Sequence, residues 1–170
     1  MKYIISTFVL SALTVMSFKV QERIEFQEFF KMAFDKSYEG LEKMKDPNSG
    51  TWASGRIVGD FNSCEIHYDL EKGIHGINFV TKVEKESTAA EFMNRYDDQV
   101  LFALPSDKYR KSQTASIPGK KIVYEYRSTD LAEIAKNPTV QMEVVKRGNG
   151  YEMVISLFEP FNRQSAPLSK

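Results

Sequence analysis

Cysteine occurs once in this 170-residue chain, at Cys64, and histidine twice, at His67 and His75. A single thiol cannot close an internal disulfide, so an exported domain of this sequence has to be held by its core alone. Cys64 lies in an alternating strand pattern and reads as a small buried hydrophobe. Two histidines leave little choice of general base. Charge of one sign is not in excess either, with 23 Lys plus Arg against 23 Asp plus Glu. No global field attracts a polyanion, which speaks against a nucleic-acid partner. There is no N-x-[ST] sequon, no G-x-S-x-G elbow, no P-loop, no G-x-G-x-x-G, no H-E-x-x-H and no C-x-x-C. Hydrolytic, nucleotide-binding and redox chemistry therefore lack their usual sequence carriers, and no cofactor is implied. Gly148-Asn149-Gly150 precedes no helix, so it is a hairpin turn rather than a phosphate loop. Asp97 and Asp98, neighbours on a helix, lie about 100° apart and do not converge.

Long apolar runs are missing as well. The longest uncharged stretch, residues 3–18, is 16 residues and is interrupted by Ser6, Thr7, Ser11 and Thr14. A membrane-spanning helix needs about 20 apolar residues. Lys2 in front and Lys19 behind give it the layout of a secretory signal peptide over residues 1–17. No A-x-A occurs; Val15 and Ser17 are the best small pair, and cleavage there releases a chain beginning at Phe18. No cysteine stands near the junction for lipid attachment. The expectation is an exported protein, periplasmic or extracellular, touching a membrane only if residues 1–17 stay attached.

The remainder is long enough for one ordinary domain, residues 18–160, followed by a flexible tail at 161–170. Residues 22–45 read as a helix, with Phe26, Phe29, Phe30, Ala33, Phe34, Leu41 and Met44 on one broad arc. Asp46-Pro47-Asn48-Ser49-Gly50 stops it. Strands are expected within 52–83, where Cys64, Ile66, Tyr68 and Leu70 alternate with Glu65, His67, Asp69 and Glu71. A second core helix spans 87–104, with Thr88 and Glu91 placed for a capping box and Pro105 as its stop. Residues 105–120 are the least regular, with an edge strand at 113–117 as the alternative. A strand at 121–127, a short helix at 130–136 and a hairpin around Arg147-Gly148-Asn149-Gly150 complete the chain.

The predicted class is α+β: two main helices on a mainly antiparallel sheet, in the order α-βββ-α-β-α-ββ, as a single-domain two-layer sandwich. In topology alone, the α-βββ-α-ββ core is similar to type III secretion chaperones. The closing strand and long hairpin are similar to the ends of NTF2-like domains. Neither resemblance carries functional residues onto this sequence.

Two groups are candidates for function. Between Pro105 and Lys121 stand Lys108, Arg110, Lys111, Lys120 and Lys121 against Asp107 alone, with Tyr109 interleaved. That local excess of positive charge suits an anionic ligand, a lipid headgroup or an acidic protein. Glu65, His67 and Asp69 project from one face of a strand and could together hold a metal or perform acid–base chemistry. His75 falls on the opposite side by parity, near Tyr68, which leaves that trio one nitrogen ligand. The first expectation is a small exported, non-enzymatic domain binding a small molecule or a protein. An enzyme or metal-dependent protein built on the trio is the alternative, and a self-associating or partner-recruiting sheet the third. A helix–sheet pocket above about 300 Å³ would favour a small-molecule ligand.

Overall fold

Four phenylalanines at helical spacing build the first layer of the core. In the computed structural model, which describes residues 23–45, 57–117 and 120–162, Phe26, Phe29, Phe30 and Phe34 are all buried. They lie on α1 (Phe26–Ser37), which follows a two-residue strand β1 (Arg23–Ile24). The helix is shorter than its apolar pattern predicts. Gly40 takes a φ of +114°, a value no side-chain-bearing residue adopts cheaply, and the chain restarts as a 3-10 turn over Leu41–Met44. Leu41 is nonetheless fully buried and Met44 packs on the core, so the periodicity described the buried face correctly while the backbone broke beneath it.

β2 (Ile57–Val58) pairs in parallel with β1. β3 (Ser63–Asp69) and β4 (Ile74–Val83) pair antiparallel with Cys64 opposite Phe79, Ile66 opposite Ile77 and Tyr68 opposite His75. That is the register the alternation predicts. α2 (Glu86–Ala103) buries Ala89, Met93, Tyr96, Val100 and Ala103. Its N-cap is Lys85 with no side-chain cap, which corrects the expected capping box. The helix starts at Glu86, so Thr88 and Glu91 already lie inside it, and the acidic Glu86 suits its positive end.

In the segment expected to be irregular, the alternative edge strand at 113–117 is present and begins earlier, at Tyr109. β5 (Tyr109–Ile117) lies at the sheet edge beside β6 (Lys121–Ser128), with a bulge between Gln113 and Ala115. Ile134–Lys136 is a 3-10 turn rather than an α-helix. β7 (Thr139–Arg147) and β8 (Gly150–Phe158) form the hairpin, with Gly148 at a φ of +59°. The result is α+β: two helices on a six-stranded antiparallel sheet of order β3-β4-β8-β7-β6-β5. α1 and α2 pack on each other and both rest on β8. The signal-peptide reading, the turn at 46–50, most of the first expected strand and all but two residues of the tail lie outside the described residues. Among the described residues, no helix is long and apolar enough to cross a membrane.

Candidate functional site

Alternation along β6, β7 and β8 turns Ile122, Tyr124, Val144 and Tyr151 toward the helices. The first half of α2 lies over them but offers Ala89 and Ala90, which are too small to fill the space. Between these surfaces is a partly open pocket of about 160 Å³, also lined by Met93 and Asn94. This is smaller than the pocket that would mark a drug-sized ligand. Its rim is charged: Lys111 from β5, Lys120 from the turn before β6, Lys121 from its first position, and Glu86 from the first turn of α2.

Three of the six residues singled out in the basic segment therefore reach one concavity. Lys111 Nζ lies 2.7 Å from Asp97 Oδ2 and 4.0 Å from the Tyr124 ring centroid. Lys121 Nζ lies 2.9 Å from Glu143 Oε1. The Tyr151 hydroxyl donates to Glu86 Oε2 at 3.0 Å. Asp97 also accepts from the Tyr126 hydroxyl, so the middle of α2 is tied to both β5 and β6. Tyr109 is not a surface ligand: it is buried, packs on Phe34 and donates its hydroxyl to the Pro138 carbonyl at 2.8 Å. Burial pushes its phenol pKa up. Lys108 and Arg110 are exposed and stand outside the pocket lining.

Glu65, His67 and Asp69 share a strand face but are not among the donors that gather at one point in the described residues. Glu65 is exposed. Asp69 Oδ1 accepts the backbone N–H groups of Glu71 and Lys72 at 3.0 Å each, and Oδ2 pairs with Lys72 at 3.1 Å, so this carboxylate holds the β3–β4 turn. The His67 ring meets Phe158 edge-on at 6.1 Å, and its Nδ1 is buried with no hydrogen-bond partner. Among the described residues, the His and carboxylate donors that gather within 4.8 Å of one another are instead Glu42, His75 and Glu159. His75 Nδ1 lies 3.5 Å from Glu42 Oε2 and 3.6 Å from Glu159 Oε2. These donor types suit a divalent cation. Glu159, however, already accepts the backbone N–H of Leu41 on one oxygen and that of His75 on the other. The arrangement is that of a buried capping carboxylate. Its three members are far apart in sequence, and only the His75 side of the strand was readable in advance.

Desolvation is the largest influence on His67 and pushes its pKa below the ordinary 6.5, with the nearby Asp69 opposing. A depressed imidazole pKa means the unfolded chain binds more protons than the folded one just below pH 6.5. Stability is therefore expected to fall as pH drops through that window. Urea unfolding at about pH 7.5 and about pH 5 should show a larger loss in the native protein than in His67→Gln. Equal losses in both would remove His67 from the account, since His75 is present in each.

The sheet edges bear on self-association. β5 carries Arg110, Lys111 and the bulge at Gln113/Ala115, features that discourage pairing with another strand. Cys64 is half-buried, and burial pushes its thiol pKa up, which disfavours the nucleophilic thiolate.

No protein-family model matches the chain, and no curated protein matches it. Among solved structures, the crystal structure of CalU16 from Micromonospora echinospora matches with 5% identity and a TM-score of 0.33, over 58% of this chain and 67% of that one.

Proposed function

We propose that the chain is a small exported, non-enzymatic binding domain, built as a two-layer sandwich, whose site is the pocket between α2 and the β5–β8 side of the sheet. The observation that carries the reading is one coincidence. The concavity left by Ala89 and Ala90 opens where the locally basic segment supplies Lys111, Lys120 and Lys121. An apolar floor with a few polar groups at its rim is the usual composition of a small-molecule site. Its volume, about 160 Å³, matches a small guest, since an engineered cavity of about 150 Å³ accepts benzene. The export half of the reading rests on residues 1–17.

Protein recovered from the exported fraction, with an intact mass that begins at Phe18, is titrated with benzamide and followed by amide NMR. At about 0.5 kcal/mol per heavy atom, a nine-atom ligand binds with a Kd of the order of 1 mM. Shifts are expected at Ala90, Ile122 and Tyr124. Ala90 is exposed at the rim, so Ala90→Phe fills the pocket without entering the core, and binding should weaken at least about tenfold. A mass that retains Met1 overturns cleavage after Ser17, and absence of the protein from the exported fraction overturns export. Shifts absent from those amides, or unchanged in the folded Ala90→Phe variant, overturn the pocket.

A further inference from the structure

We infer that this pocket selects a small monoanion: a carboxylate with an apolar body of about the size of one aromatic ring, its charge held by Lys120. The inference rests on the pocket reading above and adds the chemistry of the ligand. It follows from the charges around the rim. Lys111 is matched by Asp97, Lys121 by Glu143, and the Glu86 carboxylate already accepts from Tyr151. Lys120 is the rim cation with no ion-pair or side-chain hydrogen-bond partner among the described residues, although its backbone is fixed on both sides. Its N–H donates to the Ile117 carbonyl and its own carbonyl accepts from the Lys146 N–H. The stem of this exposed lysine is therefore anchored at the pocket lining beside the apolar floor of Ala89, Met93, Ile122 and Val144.

Size and charge together restrict the guest. A body larger than about one ring exceeds about 160 Å³ unless it extends out of the open side. A second negative charge on the ligand would face Glu86 across the rim, and a cation would meet Lys111, Lys120 and Lys121. An aromatic or short-chain monocarboxylate meets all of these conditions, its ring on the apolar floor and its carboxylate toward Lys120.

Benzoate and benzamide have the same shape and differ in charge, so their ratio isolates the anion. A solvent-exposed ion pair contributes a preference of up to about fivefold, screened by salt. Benzoate is therefore expected to bind about three- to fivefold more tightly than benzamide in dilute buffer. That ratio should shrink toward one in about 0.5 M sodium chloride. In Lys120→Gln the ratio should be one in either buffer. If benzoate and benzamide bind equally while both shift the amides of Ala90, Ile122 and Tyr124, the anion inference fails and the pocket stands. Should benzoate keep its preference in Lys120→Gln, the assignment to Lys120 fails. If neither compound shifts those amides, the pocket reading itself fails.

Discussion

Phe26→Ala is expected to cost about 3–5 kcal/mol of folding stability, the range for truncating a fully buried aromatic. Phe26 is 1% exposed and stands where four parts of the chain meet. Its ring centroid lies 5.2 Å from Phe30 on its own helix, 5.1 Å from Phe61 and 5.1 Å from Phe79 on β4. The Tyr96 ring on α2 is closer, at 4.9 Å and nearly perpendicular. Edge-on aromatic pairs add stabilisation beyond area burial, about 0.5–1.5 kcal/mol each, and alanine forfeits them together. Because α1 and α2 touch the sheet through this cluster, no single neighbour can collapse into the void. A domain of this size is stable by about 5–15 kcal/mol, so the variant should be marginal, with a Tm lower by roughly 10 °C. Phe102 is the control: at 76% exposed, its replacement by alanine should shift stability by no more than about 0.5 kcal/mol. Urea midpoints for both variants check the pair. A cost below about 1 kcal/mol for Phe26→Ala would mean this cluster is not the keystone of the core.

The same cluster explains the pocket. α2 contributes Tyr96 and Val100 to tight packing along its second half, and Asp97 ties its middle to Tyr126 and Lys111. Its first half places the small Ala89 and Ala90 against Ile122, Tyr124 and Val144, with Met93 and Asn94 beside them. A helix cannot bend to close so short a gap without breaking its hydrogen bonds, so small side chains there leave space. The pocket is thus a consequence of side-chain size at two positions on a helix whose placement is decided elsewhere.

What the sequence made legible follows from periodicity. Alternation at Cys64, Ile66 and Tyr68 defined both the face and the partner register of β3, because slipping by one residue would bury Glu65 and His67. Gly148 and Asn149 marked a two-residue hairpin for similar reasons of backbone geometry. The break at Gly40 was hidden because Leu41 and Met44 keep the helical phase, and a single glycine is tolerated within helices. β5 was legible only in part, as the alternative edge strand at 113–117, because a strand exposed along most of its length has no apolar alternation to display. The basic half of the candidate site was visible as a local charge excess at Lys111, Lys120 and Lys121. The apolar half was not, since Ala89, Met93 and Val144 read as ordinary core residues until a gap appears between them. Patterns report which way a side chain faces, and a cavity depends on what fails to meet it.

Glu159→Ala is expected to cost about 3 kcal/mol or more, an effect that charge reversal or loss on the surface would not produce. The carboxylate is fully buried just past the end of β8, yet it stabilises because both oxygens are used. One accepts the Leu41 N–H at the start of the 3-10 turn, and the other accepts the His75 N–H on β4 at 3.0 Å, with His75 Nδ1 at 3.6 Å. Hydrogen bonds to a charged acceptor are worth about 1.5–3 kcal/mol each, and alanine strands two buried donors as well as opening a cavity. Glu159→Gln keeps one acceptor oxygen but turns an amide N–H₂ toward the other donor, so it should recover part of the loss. Native-state hydrogen exchange separates these cases. In the alanine variant the Leu41 and His75 amides should both lose protection, whereas in the glutamine variant one of them should keep it. Unchanged exchange at both amides, or a cost under about 1 kcal/mol, would show that the 3-10 turn is held by its apolar side chains instead. The distinction matters for the fold because Glu159 joins two pieces of chain 118 residues apart. Once Gly40 has ended α1, that link is what returns Leu41 to the core.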